Sequence, residues 1–325
     1  MKEEILLLLK NTQGFISGEE ICKKFGVTRA SIWKNIDQLK KQGYIIESST
    51  RKGYRLLATP DVITKEELKS IIRTQVIGSD IEYYDQVDST NNEAKKLARK
   101  GAKDGTLVVA NCQTQGKGRL GRNWISPKDT GIWMSIILTP NIMPSQVSCM
   151  TLIAGLDMCQ TINKTTGLTA SIKWPNDIIV HSKKVCGILT EMSAEMQRIN
   201  HIIIGIGVNV NTMHFDHTIS HATSLMLEGQ QKYERKMIIK EFLEEFDKSY
   251  ALYNQECSFV PFLDRYRENC MTLGKEVKIM TNTDEYVAYA KDILADGSLL
   301  VETDTKEEKV IVAGEVSVRG MQGYI

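Results

Sequence analysis

Ile5, Leu6 and Leu9 recur at helical spacing among charged residues, which predicts a helix over about residues 3–10. Ser17 stands three residues before Glu20, the spacing of a capping box. The GEEICKKFG run that follows puts Ile21 and Phe25 on one face and stops at Gly26. Thr28 then precedes RASIWKNIDQLKKQG, where Ile32, Ile36 and Leu39 repeat at intervals of four and three. Two short helices joined by Gly26-Val27-Thr28 form a helix-turn-helix, whose second helix enters the DNA major groove by its N-terminal residues. YIIESSTRKGYRLL reads as a β-hairpin around Ser-Thr-Arg-Lys-Gly, a wing beside that helix. Thr59-Pro60-Asp61 marks the exit, and ITKEELKSII is a connecting helix capped by Thr64.

Between about residues 80 and 270, β-branched runs alternate with amphipathic stretches. IEYYDQVDST reads as a strand running into a polar turn, NNEAKKLARKG as a helix, and TLVVANCQT and GIWMSIILTP as strands. VSCMTLIAGLDMCQTINKTTG follows as a helix, then ILTEM and HIIIGIGVNV as strands. Strands interleaved with helices imply an α/β or α+β sheet domain. From Thr272 the pattern shortens to KEVKIMT, YVAYAKDIL, SLLVET and EKVIVAGEVSVRG, with turns at Asn282-Thr283-Asp284 and Ala295-Asp296-Gly297. This predicts a small antiparallel barrel. The chain therefore divides into 1–62, 63–271 and 272–325, an α+β multidomain protein.

Composition adds limits. Apolar residues at 42% and charged residues at 25% are ordinary globular values and exclude a disordered or fibrous chain. No apolar run reaches the roughly 18 residues that a bilayer span requires. MKEEILLLLKN carries acids and no small-residue cleavage site, so it reads as a helix and not a leader. Seven scattered cysteines without a C-x-x-C pair fit free thiols in a reducing cytoplasm.

The net charge of +1 conceals an asymmetry. Through residue 61, eleven lysines and arginines stand against seven acids, an excess of four, and the remainder carries −3. With the basic excess in the head, Thr28, Arg29, Ser31, Trp33, Lys34 and Asn35 on the second helix are candidate DNA contacts, joined by Arg51 and Lys52 at the wing tip. Arginine, serine and asparagine suit base edges, while lysine suits phosphate. A small helical adaptor with a solvated basic face is the alternative.

Candidate chemistry concentrates in the centre. Gln115-Gly116-Lys117-Gly118-Arg119-Leu120-Gly121-Arg122, followed by Trp124, sets three cations among three glycines. Such a loop can present amides and guanidinium groups to a phosphate or carboxylate. It lacks the Lys-Ser/Thr ending of a P-loop, and a surface loop or an RNA-binding segment has a similar look. Lys173-Trp174-Pro175-Asn176-Asp177 precedes Lys183-Lys184-Val185-Cys186-Gly187-Ile188-Leu189, two short strands around a polar hairpin, with Asp177 also able to satisfy a rigid turn. In Gly205-Ile206-Gly207-Val208-Asn209-Val210 the glycines admit a ligand or a neighbouring backbone.

Taken together, Asp88-Ser89-Thr90-Asn91, GKGRLGR-x-W, KWPND, KVCGIL-x-E and GIGVNV stand in the order found in biotin–protein ligases. With a winged helix in front, the chain resembles the bifunctional bacterial form, which is also the biotin operon repressor, and the resemblance spans essentially all 325 residues.

That resemblance implies a central biotin/lipoate-ligase-like domain of class II synthetase type and a C-terminal SH3-like barrel ending in Gly314-Glu315-Val316-Ser317-Val318-Arg319. It implies a cytoplasmic enzyme that joins biotin to ATP with Mg²⁺, as biotinyl-5′-AMP, and passes it to a lysine of a biotin carboxyl carrier domain. By motif, Ser89, Thr90, Asn91 and Gln113 hold the ureido ring, and Gly116, Lys117, Gly118 and Arg119 form the loop over the ligand. Gly187 belongs to the same biotin site. Arg119 and Arg122 contact phosphate, Trp124 stacks on adenine, and Asn209 recognises it.

The resemblance likewise implies that Lys184 sits between carboxylate and phosphate, with Lys183 pointing elsewhere, and that Asp177 orients or deprotonates the incoming lysine. Many relatives carry arginine where this loop has Lys117, leaving a backbone or side-chain role for that position open. A ligand-sensing transcription factor without ligase activity and a lipoate or octanoyl ligase are the alternatives. Biotinyl-AMP is expected to act as corepressor, promoting a homodimer on a two-fold operator.

Overall fold

The computed structural model describes residues 1–195, 198–216, 221–280, 285–313 and 317–320. It resolves into two compact units, Met1–Ile71 and Ile72–Ile325.

The first unit follows the hydrophobic pattern closely. Helices α1 (Lys2–Asn11), α2 (Gly18–Phe25) and α3 (Arg29–Lys41) enclose a core of Ile5, Leu6, Leu9, Ile21, Ile32, Ile36 and Leu39. The capping box is present: Glu20 N–H donates to Ser17 Oγ at 3.1 Å, and Ser17 N–H donates to Glu20 Oε2 at 3.0 Å. Gly26 ends α2 in the left-handed conformation, and Thr28 accepts from Ser31 N–H to start α3. Strands β1 (Ile45–Ser49) and β2 (Gly53–Ala58) form the antiparallel wing, and Ile16 adds a bridge to Tyr54.

Helix α4 (Lys65–Ile71), the connecting helix of the sequence, packs with this unit and not at the start of the next. Its Glu67 is fully buried, accepting from Tyr44 Oη at 2.7 Å and paired with Lys10 at 2.8 Å. Buried charge is tolerated only when paired in this way.

The second unit centres on a seven-stranded sheet. In chain order its elements are β3 (Ile81–Tyr84), α5 (Thr90–Arg99), β4 (Leu107–Ala110), β5 (Gly131–Leu138) and α6 (Val147–Thr166). They continue with β6 (Ala170–Lys173), β7 (Asp177–Val180), β8 (Lys183–Glu195), β9 (Arg198–Asn209), α7 (Leu225–Gly229), α8 (Arg235–Glu256) and α9 (Val260–Asn269). The strand order is β3-β4-β5-β9-β8-β7-β6, parallel only between β3 and β4. Strand alternation sets the two faces. Glu191 of β8 meets Asn91 on α5, whereas its neighbour Thr190 meets Thr151 on α6, so the two helices cover opposite faces. Helix α8, absent from the sequence reading, packs on α6, and its buried Phe242, Phe246 and Tyr250 stack ring on ring along the helix.

The tail forms a five-stranded antiparallel sheet of β10 (Glu276–Met280), β11 (Glu285–Ile293), β12 (Leu299–Thr303), β13 (Glu308–Ile311) and β14 (Ser317–Gly320), ordered β13-β12-β11-β10-β14. EKVIVAGEVSVRG, read as one strand, is two: β13 pairs with β12 and β14 with β10, on opposite edges. The predicted turn at Asn282-Thr283-Asp284, and Gly314-Glu315-Val316 of the expected ending, lie outside the described residues. The other turn is anchored, because Trp174 Nε1 donates to Gly297 O at 3.1 Å and Cys149 Sγ to Asp296 O at 3.3 Å.

Candidate active site and DNA-facing helix

The cavity lies on the α5 face of the sheet, above a floor of glycines. Gly187 of β8 pairs with Gly207 of β9, and Leu189 with Gly205. A Cβ at Gly205 would fall 2.0 Å from Asn91 Oδ1, and one at Gly207 would fall 2.5 Å from Trp124 Nε1. The glycines are required because side chains from α5 and from the basic loop lie directly on the strands.

A chain of hydrogen bonds fixes the inner wall. Thr90 donates to Gln113 Oε1 through its backbone N–H (2.8 Å) and its hydroxyl (3.0 Å), and Gln113 Nε2 donates to Ser126 Oγ at 2.7 Å. Ser135 Oγ lies 2.8 Å from Thr90 Oγ1 and donates to Asn91 Oδ1 at 2.6 Å. Asn91 Nδ2 in turn donates to Glu191 Oε2 at 2.8 Å, and Lys95 holds the other carboxylate oxygen at 2.6 Å. Burial alone would raise the pKa of Glu191, but the bonds from Lys95 and Asn91 outweigh it and hold the carboxyl below the usual glutamate value. The sequence motif KVCGIL-x-E contains this glutamate without disclosing its partners.

The basic loop closes on itself, with Gly118 N–H donating to Arg122 O at 2.7 Å and Trp124 N–H to Gly116 O at 2.8 Å. Lys117 Nζ donates to Asn92 Oδ1 at 2.7 Å, and Asn92 Nδ2 donates to Asp88 Oδ2 at 2.7 Å. The ammonium of Lys117 thus ties the loop to the first turn of α5. Arg119 Nη1 donates to Asn176 Oδ1 at 2.7 Å, which brings the guanidinium to the KWPND turn, while Arg122 is exposed.

Lys184 and Lys183 diverge, as strand alternation predicts. Lys184 Nζ lies 2.6 Å from Asp177 Oδ1 and 5.2 Å from the Trp124 ring centroid, whereas Lys183 faces Glu228 at 3.6 Å. The Trp124 indole N–H is buried against Gly207 with no acceptor among the described residues. Asn209 Nδ2 donates to Thr223 O at 3.1 Å.

These groups enclose a cavity of about 490 Å³, a size suited to a small-molecule ligand. Ser89, Thr90, Asn91, Gln113, Lys117, Gly118, Arg119, Arg122, Trp124, Asp177, Lys184, Gly187 and Asn209 all line it. Gly116 does not; it packs behind the wall, where a Cβ would meet Trp124 O at 2.3 Å. Sequence reasoning missed Met134, Lys173, His221 and Ala222. Lys173 stood inside a motif already singled out, whereas His221 and Ala222 carry no local signal.

Comparison with known proteins joins these observations. Residues 83–209 match the biotin/lipoate A/B protein ligase family, residues 2–55 an HTH domain, and residues 272–319 the biotin protein ligase C-terminal domain. The chain is 37% identical over 315 residues to the bifunctional ligase/repressor BirA of Bacillus subtilis, covering 96% of this chain and 97% of that one. The chain belongs to the bifunctional ligase/repressor family. The BirA of Escherichia coli is 28% identical over 98% of this chain and 97% of its own. The biotin protein ligase of Aquifex aeolicus, solved with biotin and ATP, superposes with a TM-score of 0.66 at 29% identity, covering 74% of this chain and all but 1% of that one.

The HTH match falls on the first unit. Arg29, Trp33 and Lys34 are exposed on α3, and Trp33 is the most exposed large apolar residue of the unit at 64%. Thr28 is engaged as the cap, Ser31 is half-buried, and Asn35 turns its amide back onto Ser31 O at 2.8 Å. At the wing tip Arg51 is exposed, while Lys52 lies 5.6 Å from the Phe15 ring centroid. All seven cysteines are free. Among the described residues no helix is long and apolar enough to cross a membrane.

Proposed function

We propose that the chain is an ATP-dependent biotin–protein ligase that forms biotinyl-5′-AMP and transfers biotin to a lysine of biotin carboxyl carrier domains. One observation carries this reading. Lys184, Arg119, Thr90 and Gln113 line a single cavity, with Ser126 holding Gln113 from behind the wall, in a chain related along nearly its full length to ligase/repressors. Ser89, Thr90, Asn91 and Gln113 orient the ureido ring, and Gly187 leaves room for the rest of the biotin. Arg119, Arg122 and Lys184 face the charge that gathers as carboxylate and phosphate join. Trp124 and Asn209 take the adenine, and closing the site over the anhydride keeps water away.

Asp177 is the one carboxylate among the described lining residues and is already paired with Lys184, and no group of three or more metal-ligating side chains occurs among the described residues. Among the described residues the cavity thus offers Mg²⁺ a single carboxylate, and the ion is expected to travel mainly on the nucleotide's phosphates. Incubating the purified chain with ATP, biotin and an apo carrier domain tests the reading: labelled carrier is expected, and unlabelled carrier overturns it.

The second activity is repression. Residues 1–62 read operator DNA through Thr28, Arg29, Ser31, Trp33, Lys34 and Asn35, with Arg51 and Lys52 reaching the backbone. Residues 63–271 bind biotin and ATP, and residues 272–325 complete the ligase. The exposed cations on α3 favour this reading. Biotinyl-AMP acts as corepressor by promoting a cytoplasmic homodimer, which sedimentation with and without biotin and ATP tests: a ligand-independent state overturns the switch.

A further inference from the structure

Strands β7 and β8 are joined by His181-Ser182, both in the left-handed region with φ of 47° and 64°. Tight hairpins of this hand ordinarily use asparagine and glycine, and a histidine there is held against steric cost. Its ring has a specific partner: His181 Nδ1 lies 2.8 Å from Glu228 Oε2. The other carboxylate oxygen of Glu228 accepts from the Thr223 hydroxyl at 2.6 Å and faces Lys183 Nζ at 3.6 Å. The Glu228 side chain is only 11% exposed. Burial alone would raise its pKa, but the bonds from Thr223 and His181 and the charge of Lys183 outweigh it, so the group is anionic at neutral pH.

Thr223 is the residue to which several site groups refer. Lys184 N–H donates to His221 O at 2.7 Å and Thr223 N–H donates to Lys184 O at 2.9 Å, a parallel bridge centred on Ala222. The Thr223 carbonyl accepts from Asn209 Nδ2 at 3.1 Å. Next to it, Ser224 Oγ donates to Thr212 O at 2.6 Å and caps α7. The backbone at Lys184, the amide of Asn209 and the wall of His221 and Ala222 are thus all registered on one threonine. Glu228 fixes that threonine's side chain to the β7–β8 turn, and does not itself line the cavity.

We propose that Glu228 is a positioning residue for the nucleotide half of the cavity, clamping Thr223 to the His181–Lys183 turn so that Asn209 keeps the placement that ATP requires, while main-chain bonds to His221 and Thr223 hold the Lys184 backbone independently of the clamp. The clamp rests on the assignment of Asn209 to the nucleotide. Its signature is selective, because the biotin-side chain through Thr90, Gln113 and Ser126 shares no member with it. Loss of the clamp weakens binding that ground and transition state share, so KM for ATP rises while kcat holds.

The test uses the full chain, with ATP–pyrophosphate exchange for kinetics and calorimetry with biotin alone. Thr223→Val and Glu228→Ala are expected to raise KM for ATP roughly tenfold, with kcat within about twofold and biotin affinity unchanged. Thr223→Ser keeps the hydroxyl and is expected to stay near wild type. Glu228→Gln, which loses the charge toward His181 and Lys183, falls between. An unchanged KM for ATP in folded Thr223→Val overturns the clamp, as does a parallel loss of biotin affinity and thermal stability. Should Glu228→Ala fail to fold, the Thr223→Val and Thr223→Ser pair decides alone. Absence of exchange in the unaltered chain overturns the site assignment itself and, with it, the clamp.

Discussion

Lys184 and Asp177 face each other from adjacent strands, ammonium to carboxylate at 2.6 Å, with the Trp124 ring beside the ammonium. The carboxylate holds the cation in the cavity without consuming its capacity to bond a second anion, since an ammonium has three donors. Removing a preorganised charge of this kind costs about 10²–10³ in rate. Lys184→Met is therefore expected to lower adenylate formation by that factor in ATP–pyrophosphate exchange, and near-normal exchange would remove Lys184 from the mechanism. Asp177→Asn is expected to reduce the rate less, because the lysine itself remains.

Gly205 makes a sharper test of the biotin side. An alanine Cβ there would collide with Asn91 Oδ1 at 2.0 Å, displacing the amide that Ser135 and Glu191 hold. Gly205→Ala is expected to weaken biotin binding at least tenfold by calorimetry. Gly155, inside α6, is the contrast: a Cβ there meets only Ile188 Cδ1 at 3.9 Å. Gly155→Ala is expected to raise unfolding stability by about 1 kcal/mol through helix propensity and to leave biotin affinity alone.

Asp157 on α6 gives a pH dependence of stability. It is fully buried, and that burial pushes its carboxyl up to about 7 from 3.8, against the opposing effects of the Ser249 hydroxyl and the charges of Arg265 and Lys248 and with the support of Glu245. Above pH 3.8 the unfolded chain ionises this group while the folded chain keeps it protonated, so its contribution is fully present below about 4 and is lost progressively up to about 7. Asp157→Asn is expected to flatten this part of the denaturation profile, gaining up to a few kcal/mol at pH 8 and little at pH 4. An unchanged slope between those limits contradicts the assignment.

On the DNA side, Arg29 and Lys34 are expected to act differently. Lys34→Ala should weaken operator and random duplex alike and lower the salt slope by about one, the mark of a lost phosphate contact. Arg29→Ala should cost about 1–3 kcal/mol on the operator and narrow the gap to random DNA. Both variants should label carrier normally, and filter binding across a salt series separates the two effects.

The sequence was most legible where local chemistry determines structure. Ser17, Glu20, Gly26 and Thr28 specify caps that formed as read, and the buried positions of α1 to α3 match the helical period. Helix α8 was missed although Ile238, Ile239, Phe242, Leu243, Phe246, Tyr250 and Tyr253 repeat at three and four. Strand pairing was less so: EKVIVAGEVSVRG has one alternation but feeds two edges of a sheet, a choice made by partners distant in sequence.

In the cavity, motifs identified the residues but not their partners. Nothing in GKGRLGR says that Lys117 turns to Asn92 while Arg119 reaches Asn176. Gly116 differs from its neighbours because the loop's hairpin closure turns it toward Ser126 and away from the cavity. His221 and Ala222 reach the site through a backbone bridge, which any sequence can make.

The placement of the four tryptophans gives the chain built-in optical reporters of two sites. Trp133 and Trp174 are buried, their indole N–H groups bonded to Pro127 O and Gly297 O, although Trp174 borders the cavity. Trp33 lies open on α3, and Trp124 rests on the glycine floor with an N–H unmet among the described residues. Emission changes on adding small ligand are therefore expected from Trp124 and Trp174 at the cavity, and those on adding duplex from Trp33. Replacing Trp33 with phenylalanine leaves an unlabelled protein in which occupancy of the cavity is read without interference from the DNA-facing helix.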